Sequence, residues 1–323
     1  MRNMKTVIKV DGLVVDYGNN RALDGVSFSV GRGEIFCLLG PNGAGKTTMV
    51  RALTGQVKKT RGSVLLLGKD PNVERGEVLS RSGLVPQDVA LYGELTGREN
   101  LEFHARLHGL PSDVRKERVE ALLEVAGLKG RQHDRVSTYS GGMKRRLQLV
   151  RALVHDPEVL FLDEPTLGVD VQSRNAIHEH VRRLPSRGKT IFLTTNYMEE
   201  AEALADRILI LDGKTIEGPA PLQEIRERTL PGLVLEFQVE GGGGDLLAEF
   251  VGEQLDGTLL SVKNVIGGVT EFQVAVERAI LEDALETLLL FTKSGGLSLR
   301  HVTIKQATLN DVFLHLTGKA FRD

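Results

Sequence analysis

A single cysteine, Cys37, in 323 residues excludes an internal disulfide framework and fits a reducing compartment. No stretch approaches the ~18 consecutive apolar residues of a membrane-spanning helix. The opening MRNMKTVIKVDG lacks the apolar core of a secretory signal. There is no excess of charge of either sign: 41 Lys and Arg against 43 Asp and Glu leave a net charge of -2. A protein that coats nucleic acid shows a basic footprint, so no nucleic-acid partner is expected. These absences predict a soluble, cytosolic protein. Hydrophobic residues at 41% and charged residues at 26% exclude wholesale disorder, and the length suggests two domains. Glycine alone is plentiful, at 36 residues, and its placement directs the rest of the reading.

The first two-thirds of the chain alternates short apolar runs with helix-like segments, which predicts an α/β domain on a largely parallel sheet. Strand candidates are residues 34–40, 63–68, 158–163, 189–195 and 206–212. Several are solid apolar runs, as strands buried on both faces require. Residues 7–17 and 25–30 alternate more and read as an antiparallel flank. Residues 97–155 show no strand and read as three helices, so a helical subdomain over about 88–155 is expected as an insertion in the core. The basic triplet Lys144, Arg145 and Arg146 reads as a solvated helix face. After Pro219 and Pro221 the pattern becomes β-α-β-β-α-β, the ferredoxin-like order, with the glycines at 241–244 as a flexible turn. The expected domains are residues 5–218 and 219–323.

Residues 40–47, GPNGAGKT, follow an apolar strand and open the helix KTTMVRAL. That is the strand–loop–helix context of a phosphate-binding P-loop. Gly40, Gly43 and Gly45 let the backbone turn with its N–H groups inward, a nest for phosphate oxygens at a helix N-terminus. Pro41, Asn42, Ala44 and Thr48 complete the lining. Lys46 is placed to reach the β- and γ-phosphates, and Thr47 to offer its hydroxyl to Mg²⁺. The run VLFLDE (159–164) ends in two carboxylates. Asp163 at the strand end suits Mg²⁺, and Glu164 can orient or deprotonate the attacking water.

At residues 139–144, YSGGMK, a serine and two glycines open a helix 18 residues before that strand. With the P-loop upstream, the arrangement resembles the ABC transporter ATPases over about residues 5–217, with YSGGM at the place of their LSGGQ signature. The resemblance implies a RecA-like core with an antiparallel β subdomain and the inserted helical subdomain, followed by the α+β ferredoxin-like domain. It implies ATP and Mg²⁺ as cofactors. It places Gln87 at the Q-loop, a catalytic and metal-contacting position, and Asp170 in the D-loop. Tyr17 stands where an aromatic stacks on adenine, although stacking alone tolerates any base. Ser140, Gly141 and Gly142 are implied to contact the γ-phosphate held by an opposite subunit, so that two chains close over two ATP molecules as a homodimer.

The segments ELTGRENL, YSGGMKRRL, TTNYMEEAE and the terminal LNDVFLHLTGKAFRD resemble the daunorubicin-resistance type of exporter ATPase. That type implies a separate transmembrane permease and a place at the cytoplasmic face of the cell membrane. One position departs from the family: Asn196 stands where a histidine usually contacts the γ-phosphate. An amide keeps one donor but carries no charge and shuttles no proton, so hydrolysis is expected to be slower. Two alternatives stay open, an ATP-dependent switch with weak hydrolysis and a soluble ABC ATPase outside transport. His178 and His180, two apart on a helix, face different ways, and no zinc is expected. Cys37 is expected in the core.

Overall fold

The computed structural model describes residues 5–240, 257–265 and 268–317, and the chain divides between Pro221 and Leu222 into two compact units. In the first unit β1 (Thr6–Tyr17), β2 (Asn20–Gly31) and β3 (Ile35–Leu39) lead to α1 (Lys46–Leu53), β4 (Arg61–Leu66), α2 (Arg75–Ser80) and β5 (Ser82–Val85). Three helices follow, α3 (Gly97–Leu107), α4 (Ser112–Val125) and α5 (Gly141–Ala152). The unit closes with β6 (Val159–Asp163), α6 (Val171–Arg183), β7 (Thr190–Thr195), α7 (Met198–Leu204), β8 (Arg207–Asp212) and β9 (Lys214–Ala220). No helix among the described residues is long and apolar enough to cross a membrane.

The six-stranded sheet has the order β5-β6-β7-β3-β8-β9, parallel except for β9 at one edge. Every residue of β3, β6 and β7 is buried, which explains their unbroken apolar runs. The run at 63–68, expected among these strands, instead belongs to β4, which pairs antiparallel with β1. Its last four residues alternate exposed and buried, the signature of a sheet with one wet face. β5 is only four residues long and β9 is polar, so neither has an apolar run to announce it.

Phe28 of β2 stacks on Phe36 of β3 at 5.0 Å, and Phe36 stacks on Phe192 of β7 at 5.7 Å. Together with Met49, Val50 and Leu53 of α1 they form one core cluster joining the antiparallel sheet to the parallel one. α1 is therefore gripped from both sides. Parallel register sets Leu39 opposite Thr195 and Asp163 opposite Thr194. The chain consequently leaves β3, β7 and β6 at adjacent points, at the carboxyl ends where ligands of open α/β sheets bind.

The second unit contains α8 (Leu222–Thr229), β10 (Leu233–Glu240), β11 (Thr258–Val265), β12 (Val269–Val276), α9 (Leu281–Ser294), β13 (Ser298–Lys305) and α10 (Leu309–Thr317). Its sheet is antiparallel with the order β11-β12-β10-β13, in which β10 and β12 fill the centre, as a ferredoxin-like pattern requires. Phe237 and Phe272 stack at 5.2 Å in a core closed by Ala284 and Leu288 of α9. The glycine turn at 241–244 and the helix expected after it lie outside the described residues.

Phe192 is fully buried and touches the aromatic rings of three other strands. Phe192→Ala is expected to cost about 3–5 kcal/mol of stability, read as a fall in the denaturant midpoint. A loss below about 1 kcal/mol would contradict the packing described.

Candidate nucleotide site

Residues 40–45 form the loop between β3 and α1. Gly45 has φ +96°, and a Cβ there would stand 2.5 Å from the Ala22 carbonyl oxygen and 2.7 Å from Leu23 Cδ2. Backbone conformation and space therefore both demand glycine. The α1 N-terminus it begins carries no side-chain cap and no acidic residue in its first turn. Its leading N–H groups and positive dipole end are free for an anion.

Lys46 is 4% exposed and folds back over this loop. Its Nζ donates to the carbonyls of Gly40 at 2.8 Å and Pro41 at 3.0 Å, and lies 3.0 Å from Glu164 Oε1. Glu164 follows β6 with φ +49°, a left-handed conformation uncommon for a residue with a side chain. Its N–H donates to the Thr194 carbonyl at 3.0 Å, which fixes that turn. Oε1 is engaged by Lys46, while Oε2 is buried and unpartnered. The site thus holds a buried ion pair with one carboxylate oxygen in reserve.

One pocket of about 500 Å³ is lined by Tyr17, Asn42, Gly43, Gly45, Lys46, Thr47, Thr48, Gln87 and Glu164, together with Asn20, Arg21 and Ala22. Gly40, Pro41 and Ala44 belong to the backbone of the same loop. Tyr17, at the end of β1, is 43% exposed, so its ring is available at the rim. An adjoining cavity of about 140 Å³ is lined by Thr47, Gln87 and Asp163 among others. Asp163 Oδ1 accepts from Thr194 Oγ1 at 2.5 Å, leaving Oδ2 for another partner. A hydroxyl, a carboxamide oxygen and a carboxylate form an all-oxygen donor set, which fits Mg²⁺.

Asn196 follows β7, is buried, and has its Oδ1 unpartnered, but it is not among the residues lining either cavity. Ser140, Gly141, Gly142 and Asp170 also stand apart from both. Ser140 Oγ caps α5 by accepting from the Met143 N–H at 3.3 Å. Asp170 caps α6 by accepting from the Ser173 N–H at 2.9 Å, which holds its carboxyl below the ordinary range. A Cβ on Gly142 would stand 2.2 Å from Ser173 Oγ, so the start of α5 rests directly on the first turn of α6.

The basic triplet is not uniformly a solvated face. Arg145 is 3% exposed, and burial lowers its pKa from the ordinary arginine value. Its Nη1 donates to the carbonyls of Pro86 at 2.9 Å and Gln87 at 3.0 Å. Its Nε donates to the Pro165 carbonyl at 2.5 Å, and Nη2 donates to the Glu164 carbonyl. Gln148, one turn further along α5, accepts from Arg145 at 3.0 Å and donates to the Asp88 carbonyl at 2.8 Å. One guanidinium therefore ties α5 to the backbone on both sides of the site, at Gln87 and at Glu164. Nearby, Glu200 of α7 accepts from Thr166 at 2.8 Å and is hydrogen-bonded to His178 at 3.0 Å, which gives that histidine a structural partner. A single sequence offers no signal for the burial of Arg145, because three consecutive basic residues look alike until the fold selects one.

A Gly-rich loop at a helix N-terminus, an inward lysine and two strand-end carboxylates define a P-loop nucleoside-triphosphatase site. Residues 23–167 match the family model described as ABC transporter. The linearmycin resistance ATP-binding protein LnrL of Bacillus subtilis is 35% identical over 98% of this chain and 100% of its own length. The daunorubicin resistance ATP-binding protein DrrA3 of Streptomyces coeruleorubidus is 38% identical over 97% of this chain and 96% of its own. Among solved structures, a dimeric post-hydrolysis ATP-binding cassette bound to ADP and Pi superposes with a TM-score of 0.58 and 26% identity. It covers 64% of this chain and 96% of that one. The chain belongs to the ABC transporter family as an ATP-binding, ATP-hydrolysing subunit.

Replacing Arg145 by lysine keeps the charge but removes the fork that reaches several carbonyls at once. Each buried carbonyl left unpaired costs about 1–3 kcal/mol, so Arg145→Lys is expected to lose at least about 3 kcal/mol in denaturant unfolding. Wild-type stability in that variant would refute the bridging role.

Proposed function

We propose that the chain is the motor subunit of an exporter, hydrolysing MgATP between two copies of itself to drive a separate membrane permease. The observation that carries this reading is a division of labour. Lys46, Thr47, Gln87 and Glu164 line one pocket, whereas the helix end at Ser140 is exposed and lies outside it. A second helix N-terminus outside the first pocket suits a phosphate held by another copy.

In this reading the loop N–H groups and Lys46 bind the β- and γ-phosphates, and Tyr17 stacks on the base. To reach phosphate, Lys46 exchanges its contact with Glu164 for one with ATP. That frees Glu164 as a carboxylate beside the entering water. Water oxygen bonds to the γ-phosphorus, the bond to the β-phosphate oxygen breaks, and Glu164 accepts the proton from water. Thr47, Gln87 and Asp163 would hold Mg²⁺, which would supply positive charge against the negative charge developing on the phosphate oxygens. Asn196 contributes an amide donor after rotation of its side chain, and Asp170 lies where the second copy approaches. No nucleic acid enters the cycle.

For the permease contact, the helical insertion offers exposed apolar side chains beside the Gln87 loop. Tyr92 is 53% exposed and packs edge-on against Phe103 at 5.0 Å, with Val89 and Leu107 also exposed. Asn100 accepts from the Tyr92 N–H at 2.9 Å and donates to its carbonyl at 2.9 Å, fixing this loop on α3. Such a patch suits the cytoplasmic helices of a membrane partner and supports a station at the cytoplasmic face of the membrane. The resistance proteins among its relatives support a drug-like cargo. Asn196 favours a second reading, an ATP-dependent switch with weak turnover.

Glu164→Gln is expected to lower phosphate release by about 10²-fold or more while nucleotide binding persists. Unchanged turnover would overturn the assignment of the base. Asn196→His is expected to raise the turnover number, since it adds a chargeable donor. A rate equal to wild type would show that the switch position does not limit hydrolysis.

A further inference from the structure

The helical insertion carries a second cluster of chemistry that the ATP cycle leaves unused. His104 and His108 stand one turn apart on α3 and its C-terminal cap, and His155 follows the end of α5. One ligand nitrogen from each of the three lies within 4.8 Å of the other two. The rings of His108 and His155 stack at 3.7 Å with their planes 2° apart, and His104 meets His108 edge-on at 4.9 Å. Of the eight histidines in the chain, these three form the one His, Cys or acidic group with metal-ligand spacing among the described residues.

The tautomer at His155 is set by its surroundings. Its Nε2 lies 3.0 Å from the Ser82 carbonyl, which can only accept, so Nε2 carries the proton. Its Nδ1 is then a bare lone pair, and that atom is buried without a partner. A metal-ligating histidine is typically held in this way, with its other nitrogen donating to a backbone carbonyl. Burial pulls the pKa of His104 and of His155 to about 4 and lowers that of His108, so all three are neutral ligands at pH 7.

We propose that His104, His108 and His155 form a binding site for a borderline divalent transition metal, with Zn²⁺ as the type ion. Three imidazoles with a fourth position open to water match such ions and exclude Mg²⁺, which takes oxygen ligands. Zinc–nitrogen bonds of about 2.0–2.1 Å require ligand atoms roughly 3.3 Å apart, so the stacked rings splay and the cluster contracts by about 1.5 Å. Arg151 acts electrostatically on His104, and Asp156 and Lys189 act on His155. Arg151 is anchored on the Ala90 carbonyl, and Lys189 and Arg118 are paired with Asp156. Since the donors come from α3 and from the chain leaving α5, an ion there joins two helices of the insertion. The expectation of no zinc extends to every histidine and is argued from His178 and His180, whereas the ligating spacing belongs to His104 with His108.

Untagged full-length protein, stripped with chelator, is titrated with Zn²⁺ against a chromophoric competitor, and separately with Co²⁺ to read its visible bands. One Zn²⁺ per chain is expected with a Kd of about 10 µM or tighter, together with intense tetrahedral Co²⁺ absorption. His108→Ala and His104→Ala, each shown folded by its unfolding midpoint, should weaken binding by about tenfold or more. Adding Mg²⁺ should not compete. Absence of stoichiometric uptake by the wild type, or uptake undiminished in either folded variant, overturns the proposal.

Discussion

The Arg145 guanidinium is the constraint on which the geometry of the site depends. A buried cation must find acceptors for its donors, and here they are main-chain carbonyls at Pro86, Gln87, Glu164 and Pro165. Carbonyls belong to the backbone, so the contacts fix the paths of two loops without committing any functional side chain. Gln87 and Glu164 are left to face the nucleotide pocket. Because Arg145 sits five residues after the helix-capping Ser140, a shift of the signature helix is transmitted to both sides of the site. Coupling between the helical insertion and Glu164 thus has a physical carrier.

Parallel register supplies the rest. β3, β7 and β6 end side by side, so the phosphate loop, Asn196 and Glu164 start from neighbouring points on a rigid, fully buried edge. Lys46 bonds two loop carbonyls and one oxygen of Glu164, while the other carboxylate oxygen stays unpartnered. In the proposed cycle, a phosphate that recruits Lys46 releases the Glu164 carboxylate for the next step. A buried pair of this kind contributes little net stability, and replacing one member leaves the other charge unpaired. Its value in the proposed cycle lies in coupling arrival of the substrate to release of Glu164.

Much of this was legible in the sequence where function and contiguity coincide. Residues 40–47 are adjacent in the chain, their glycines are required by backbone geometry, and the flanking strand and helix are visible as apolar patterns. Asp163 and Glu164 end such a run. The run at 63–68 reads by its apolar content as a strand of the parallel sheet, whereas its alternation belongs to β4 beside β1. β5 was missed because four residues give no period. Arg145 and the three histidines were hidden for a different reason. Burial of one charge in a basic triplet, and convergence of side chains 47 residues apart or more, arise only from tertiary packing.

The central claim is that one chain holds ATP and another completes the site through Ser140. Sedimentation mass with Mg²⁺ and a non-hydrolysable ATP analogue tests it most directly. The 35.3 kDa chain is expected to become a dimer with the analogue and to stay monomeric with ADP. Ser140→Arg should abolish that shift while nucleotide binding is retained. A dimer that forms regardless of nucleotide, or a variant that dimerises as the wild type does, would contradict it.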